Sequence, residues 1–128
     1  MSYYFSTKLM MDFDEAVPRV IEELKQEGFG ILTEIDVRET LKQKLGVEFT
    51  RYRILGACNP PFAYRALQAE PNIGTMLPCN VIVRELAFGK AEVAAVDPLA
   101  SMQAIDNPAL QEIAAEIQTK LKQVIARL

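Results

Sequence analysis

The sequence predicts an α+β domain, residues 1–128, with helices packed on one mixed, largely antiparallel sheet of about five strands. Short runs rich in β-branched and aromatic residues alternate with longer stretches whose apolar residues recur every three or four positions. Glycine, proline, aspartate or asparagine stands at the junctions between these stretches. The resulting element order is β-α-β-α-β-α-β-β-α, and its consecutive fourth and fifth strands favour an antiparallel hairpin.

The first strand is predicted over residues 2–9, and the first helix follows Asp12. Glu15 stands three residues after Asp12 and completes a capping-box pattern. The helix carries an apolar stripe and is expected to end at Gly28. Pro18 conflicts with this pattern, because proline inside a helix removes a hydrogen bond and costs about 3 kcal/mol. The sequence therefore predicts a kink at Pro18 or a helix that begins later.

The second strand is predicted over residues 29–35, and a second helix follows it. Asp36 and Glu39 form another capping-box pattern, and Gly46 marks the end of the helix. We expect this helix to bury the apolar residues that recur at helical spacing. These residues are Val37, Leu41 and Leu45.

The third strand is predicted over residues 50–58, and a helix follows it directly. Asn59 suits the N-cap of this helix, and Pro60 suits its first position. The helix should run to about Glu70. Alternation places four strand residues on one face: Tyr52, Ile54, Gly56 and Cys58. Helical spacing turns four residues of the helix inward: Phe62, Ala63, Ala66 and Leu67.

The last part of the chain begins with a turn predicted over residues 72–78. A strand over residues 79–86, with Cys79, Val81 and Val83 on one face, pairs with a strand over residues 90–96 through a tight turn. Asp97-Pro98 and Asn107-Pro108 then open a short helical turn and a long closing helix. That helix carries an apolar stripe along its whole length, so we expect it to pack throughout.

Composition excludes several classes of function. Histidine is absent, which excludes Ser-His-Asp and Cys-His catalysis and any histidine-ligated metal. Two cysteines without histidine cannot complete a four-ligand structural zinc site in one chain. We therefore predict no bound metal and no cofactor.

Charge and hydropathy also bear on partners and location. The net charge is −3, with no cluster of basic residues, which argues against nucleic-acid binding. No apolar run reaches the roughly 18 residues of a membrane span, and no secretory signal is visible. We therefore expect a soluble, cytoplasmic domain that binds no membrane, in which the cysteines are free thiols rather than a structural disulfide.

Residues 55–83 contain both cysteines, and each is followed by asparagine, as Cys58-Asn59 and Cys79-Asn80. Cys58 precedes a predicted helix N-terminus, whose dipole would lower a thiol pKa, and this makes Cys58 the candidate catalytic nucleophile. The simpler interpretation is that both cysteines are small apolar side chains at strand ends. Taken as a pair, they could also form a dithiol couple or bind a soft Cu(I)-type cation, with a thioether from Met76 or Met102.

Polar residues near the cysteines complete the candidate site. The amides of Asn59 and Asn80 could line a pocket beside the thiols, although a helix cap and a strand-edge amide are the simpler roles. Tyr64 and Arg65 could border a cleft, or form a solvated face or dimer contact. Arg51 and Arg53 are expected to point outward into solvent. The candidate ligand-binding residues are Cys58, Asn59, Tyr64, Cys79 and Asn80.

Several segments of the chain resemble the domain of unknown function 302 family. They are Gly28-Phe29, Gly56-Ala57-Cys58-Asn59-Pro60-Pro61, Ala63-Tyr64, Ile73-Gly74, Leu77-Pro78-Cys79-Asn80, Asp97-Pro98 and the closing amphipathic helix. The resemblance covers essentially the whole chain, and it implies a compact α+β fold and a homodimer. It implies no settled activity. Pro18 departs from the family pattern.

The leading functional hypothesis is a homodimeric module that binds a small molecule or a partner. Its pocket would lie where the segment Cys58-Asn59 meets the segment Pro78-Cys79-Asn80. One alternative is a thiol-dependent redox enzyme that uses Cys58 and Cys79. The other is a soft-metal carrier, and the sequence leaves open whether the protein is an enzyme.

Overall fold

A computed structural model describes residues 2–128 and shows one five-stranded sheet with helices. The strands are β1 (Tyr4–Leu9), β2 (Gly30–Asp36), β3 (Tyr52–Cys58), β4 (Cys79–Ala87) and β5 (Lys90–Val96). The helices are α1 (Phe13–Gln26), α2 (Val37–Leu45), α3 (Pro60–Ala69), α4 (Pro98–Ser101) and α5 (Pro108–Arg127). The segment predicted as a turn before β4 is largely a 3-10 helix, Pro71–Met76. The predicted α+β class and element order are confirmed.

The strand order in the sheet is β1-β5-β4-β3-β2, and every neighbouring pair is antiparallel. Strands β3 and β4 are therefore neighbours, although α3 and the 3-10 helix separate them in sequence. In their register Ala57 lies opposite Cys79. The end of β3 and the start of β4 thus meet at one edge of the molecule, beside the helices that join them.

The main hydrophobic core lies between one face of the sheet and the helices α1 and α5. A second, smaller cluster lies among α3, the 3-10 helix, the segment after α4 and the first half of α5. Its buried members are Ala66, Ile73, Met102, Leu110, Ile113 and Ala114. Among residues 2–128, no helix combines the length and the apolar composition needed to cross a bilayer.

The opposite face of the sheet, here called the open face, is partly exposed. The pairing register aligns one row of side chains across all five strands on this face. The row consists of Ser6, Ala94, Ile82, Ile54 and Ile35. Ile54 and Ile82 are half-buried, whereas their strand neighbours Leu55 and Val81 on the helix side are fully buried. The open face therefore presents a largely apolar row in which Ile35, Ile54 and Ile82 keep exposed surface, whereas Ala94 is buried.

Helix α1 begins at Phe13 and runs through Pro18, so the later start considered for this helix is wrong. Asp12 occupies the N-cap position, but its side chain makes no capping hydrogen bond. Instead, Asp12 Oδ1 accepts a hydrogen bond from the backbone N–H of Gly89, at 2.9 Å. The carboxylate ties the start of α1 to the β4–β5 turn, and this partner is 77 residues away in sequence.

Helix α2 has the predicted ends but not the predicted packing. Asp36 Oδ1 accepts from the Glu39 N–H at 3.0 Å, and Gly46 ends the helix with a left-handed φ of 67°. No residue of α2 is buried, and Leu45 is 69% exposed. Val37 and Leu41 are half-buried and Leu45 is exposed, so the expected inward face is correct for two of its three residues but is only partly covered, chiefly by β2 and β3.

Arg51 and Arg53 do not point outward as predicted. Alternation places both on the same face as the buried Leu55, and both guanidinium groups lie over the ring of Phe13, at 5.9 and 5.6 Å. Their charges are paired, Arg51 with Asp14 at 2.7 Å and Arg53 with Glu34 at 3.2 Å. At this end of the sheet the arginine stems cover the core, and their head groups reach carboxylates at its margin.

Candidate ligand-binding site

An apolar cavity of about 350 Å³ lies where β3 ends and β4 begins. Its walls come from β2, the β3–α3 junction, α3, the segment around the 3-10 helix, α4 and the first half of α5. Leu32 and Leu67, which are 66% and 44% exposed, lie at its edge. The lining residues are Phe29, Leu32, Ala57, Cys58, Asn59, Phe62, Ala63, Ala66, Leu67, Gly74, Leu77, Pro78, Cys79, Pro98, Met102, Leu110, Ile113, Ala114 and Ile117.

The inward face predicted for α3 forms one wall of this cavity. Its four residues, Phe62, Ala63, Ala66 and Leu67, all line the cavity. Only Ala66 among them is fully buried. Helical spacing therefore identified the correct face, but that face meets an open volume where a filled core was expected.

The structure brings together three of the five predicted site residues. Cys58, Asn59 and Cys79 line the cavity. Tyr64 is 65% exposed on α3 and does not line the cavity, and Asn80 is exposed and has the parity of the open face. Ligand binding by any of these residues stays a prediction.

Asn59 has a different role from the predicted helix cap. It stands at the N-cap position of α3, but its side chain makes no capping hydrogen bond. Its Nδ2 donates instead to the backbone carbonyl of Glu27, at 3.1 Å. The residue is only 7% exposed, and no group within residues 2–128 donates a hydrogen bond to Oδ1. The cavity is therefore bordered by a buried amide with one free acceptor.

Gly28 makes the approach of Asn59 possible. It adopts a left-handed φ of 88°, which favours glycine, and it ends the turn that follows α1. A Cβ at this position would lie 3.1 Å from Asn59 Nδ2. The Gly28 turn thus leaves room for the amide that bonds to Glu27.

Both cysteines are free thiols, as predicted, and they do not form a pair. Burial raises the pKa of the Cys58 thiol. Burial raises the pKa of Cys79 to about 11, with a smaller contribution from the charge of Cys58. Both groups are therefore protonated at neutral pH, and the lowered pKa expected for Cys58 from the helix dipole is wrong because desolvation dominates.

No cluster of three or more acidic, histidine or cysteine side chains suited to a metal ion occurs in the part of the chain that the structure describes. Of the two methionines considered as thioether ligands, Met102 lines the cavity with the cysteines. Met76 is an exposed residue of the 3-10 helix and does not line it.

The charges nearest the cavity are neutralised within the chain. Phe62 lines the cavity, and its ring makes two cation–π contacts. The Arg65 guanidinium lies 5.3 Å and the Lys120 ammonium 5.8 Å from the ring centroid. Arg65 pairs with Glu116 at 3.1 Å, and Lys120 lies 3.9 Å from a carboxylate oxygen of Glu27. The neighbourhood of Phe62 thus offers a bound anion no unpaired positive charge.

Sequence reasoning missed the part of the cavity that comes from outside residues 55–83. In the sequence, Leu110, Ile113 and Ile117 belong to the apolar stripe of the closing helix, and Leu32 lies in the second predicted strand; neither pattern indicates a cavity. A stripe identifies a buried face but does not reveal whether that face meets side chains or an open volume. The only available signal was the accumulation of alanine in α3, which faces α5.

An open antiparallel sheet, covered on one side by helices around an apolar cavity, defines a small α+β domain. The chain belongs to the family described as Domain of unknown function DUF302, whose model matches residues 5–128.

The crystal structure of an uncharacterized conserved protein DUF302 from Bacillus stearothermophilus is similar to this chain, with a TM-score of 0.90 and 34% identity. The similarity covers 99% of this chain and 98% of that chain. No curated protein matches the chain. The resemblance recognised in the sequence is confirmed, and a function must be inferred from the site itself.

Proposed function

We propose that the protein binds a small apolar molecule in the cavity beside Cys58 and Asn59. The observation that carries this proposal is an apolar volume of about 350 Å³ bordered by one buried amide with a free acceptor. Ligand sites are typically concave, largely apolar and furnished with a few polar groups, and they begin at about 300 Å³. The cavity meets each of these criteria.

Thiol chemistry is the weaker alternative for the same site. A redox enzyme or a Cu(I) carrier needs thiolates, because the thiolate is both the nucleophile and the metal ligand. Burial raises the pKa of Cys58 and Cys79 and keeps both protonated at neutral pH. Anaerobic Cu(I) titration of the wild type, Cys58→Ser and Cys79→Ser tests the carrier, and equal binding by all three would dismiss it.

We also propose that the open face is covered by a second copy of this chain. Five strands about 4.8 Å apart, with six residues each rising about 3.3 Å, give a face of roughly 500 Å² per copy. Two such faces bury roughly 1,000 Å², the lower bound for a specific interface. Arg84 and Glu92, neighbours on this face, pair at 2.6 Å within one chain, so pairing two copies buries no unmatched charge from them.

The test of ligand binding is a titration with 1-naphthol, a neutral aromatic of about the right size, monitored by methyl NMR. We expect saturable shifts in the methyl groups of Met102, Leu110 and Ile113, which line the cavity. Methyl groups of Val20 and Val124, buried in the main core, should stay unchanged. Saturable shifts confined to other regions, or none at all, would contradict the proposal.

A cavity-filling variant supplies the control. Ala63→Phe places an aromatic ring on the α3 wall and should weaken 1-naphthol binding at least about tenfold, because it removes the volume that the ligand fills. Gln68→Phe adds the same ring on an exposed α3 position outside the cavity and should bind like the wild type. Equal affinity of the Ala63→Phe variant and the wild type would place the ligand elsewhere.

A further inference from the structure

Building on the proposed function of the cavity, we infer that its ligand is a neutral molecule of roughly a dozen non-hydrogen atoms with one hydrogen-bond donor. The donor, a hydroxyl or an amide N–H, would be accepted by Asn59 Oδ1. The apolar body would lie between α3 and α5.

The cavity volume sets the size of this ligand. A cavity of about 150 Å³ lined by aliphatic and aromatic side chains holds one benzene molecule. Scaling to the observed 350 Å³ gives room for roughly a dozen non-hydrogen atoms. A saturated chain of about ten carbons or a two-ring aromatic has this size.

The surroundings of the cavity favour a neutral ligand. No residue that lines it carries a charge. Arg65 and Lys120, which face the ring of Phe62, are already paired with carboxylates. Pro60 and Pro61, the first two residues of α3, have no N–H to offer an anion. A carboxylate or phosphate in this volume would lose its hydration without gaining a partner.

The state of Asn59 favours a ligand that donates a hydrogen bond. Its Nδ2 faces the Glu27 carbonyl, which can only accept, so the orientation of the amide is fixed and Oδ1 is the free atom. Among residues 2–128, Oδ1 is not one of the fully buried atoms that lack a partner, so a ligand can reach it, and a ligand that donates to it gains a hydrogen bond inside an otherwise apolar site. Cys58, beside it in the cavity, stays protonated and adds no competing charge.

Three probes with ten carbon atoms each separate the requirement for a donor from the requirement for neutrality. The probes are 1-decanol, its isomer methyl nonyl ether, which lacks a donor, and decanoate, which is charged. We expect 1-decanol to bind the full chain up to roughly tenfold more tightly than the ether, the usual net effect of one hydrogen bond. Decanoate should bind more weakly than either neutral probe.

The ¹³C chemical shift of Asn59 Cγ reports directly on hydrogen bonding to Oδ1 and is measured alongside the affinities. In ¹³C-labelled protein, the Asn59 Cγ resonance should move on addition of 1-decanol and stay in place on addition of the ether. Asn59→Leu, of similar volume, should remove the preference for the alcohol. Because loss of the Glu27 contact could prevent this variant from folding, the wild-type Cγ resonance decides the outcome in that case.

Each contrary result has a distinct meaning. Equal binding of alcohol and ether with no movement of Asn59 Cγ, or tightest binding of decanoate, would overturn this ligand class and leave the cavity as an apolar binding site. A preference for the alcohol that persists in folded Asn59→Leu would overturn the role of Asn59. Failure of all three probes, together with 1-naphthol, would overturn the proposed function itself.

Discussion

Glu27, the residue after α1, connects three parts of the molecule. Its carboxylate lies 2.8 Å from Arg127 and 3.9 Å from Lys120, both on α5. Its backbone carbonyl accepts the hydrogen bond from Asn59 at the β3–α3 junction. The polar corner of the cavity is therefore fixed by contacts that also hold α1 against α5.

Gly56 illustrates a residue whose identity depends on close packing. A Cβ at this position would overlap Thr33 Oγ1 and lie 2.8 Å from Pro78 Cγ. We expect Gly56→Ala to lower the free energy of unfolding by roughly 1–3 kcal/mol, as overpacking does. Gly30→Ala is the matched control, because its Cβ would meet nothing within 4 Å, and its effect should stay within about 0.5 kcal/mol. Urea denaturation measures both, and equal effects would contradict the packing argument.

The raised pKa of Cys79 should make the unfolding free energy depend on pH in the alkaline range. Its pKa rises from 9.0, the usual value, to about 11 in the folded chain, so the unfolded chain releases this proton first as the pH rises. The contribution of Cys79 is complete below pH about 9 and is lost between about 9 and 11, for a total of about 2–3 kcal/mol. Urea denaturation of the reduced proteins gives the unfolding free energy at each pH. Over that pH range, the unfolding free energy of the wild type should fall by this amount relative to that of Cys79→Ala. Parallel curves would show that Cys79 is not desolvated.

The order of elements could be predicted from sequence because strands and helices carry local periodicities and local turn residues. The caps that failed had partners far away in sequence, 77 residues for Asp12 and 32 for Asn59. The predicted faces of α2 and α3 followed the right period, but the α2 face is only partly covered and the α3 face meets an open volume. Periodicity identifies which residues share a face, but what covers that face depends on the tertiary arrangement. Cys58, Asn59 and Cys79 could be grouped from the sequence because they lie at the ends of two strands joined by one helix. The α5 wall of the cavity could not be predicted, because it depends on how α5 packs in the tertiary structure.

Two helix caps, each a side-chain oxygen that accepts from backbone N–H groups, should differ in their effect on stability. Asn107 Oδ1 accepts from the N–H groups of Ala109 and Leu110, and its Nδ2 donates to Ala69 O at 2.8 Å, which joins α3 to α5. We expect Asn107→Ala to cost about 1–2 kcal/mol of unfolding free energy. Asp36→Ala removes the cap of α2, which buries no residue, and should cost less than about 0.5 kcal/mol. Thermal and urea unfolding provide the comparison, and a reversed order would contradict it.

At the scale of the whole molecule, the sheet separates two surfaces with different chemistry. The helix side contains the core and the cavity, whereas the open face carries the apolar row and the paired Arg84 and Glu92. The aromatic residues Tyr3 and Tyr4 lie at one margin of the open face and extend its exposed area. If a second copy covers this face, the cavity stays accessible on the other side, and dimerisation and ligand binding can be tested independently.

Sedimentation of the full chain tests the dimer. We expect the wild type to sediment with twice the mass of one chain, and Ile82→Lys, at the centre of the apolar row, to sediment as a monomer because a lysine would be buried without a partner. Phe88→Lys adds the same charge at the exposed tip of the β4–β5 turn and should remain dimeric. A monomeric wild type, or a dimer unaffected by Ile82→Lys, would exclude this interface.

The most direct test of the cavity is a crystal structure of the full chain determined under xenon pressure, because xenon enters empty apolar cavities and avoids filled or polar ones. We expect one strong xenon peak between α3 and α5, in contact with Phe62, Ala66 and Met102. Side chains of α3 packed directly against α5, with no xenon between them, would contradict the existence of a ligand cavity in the folded protein.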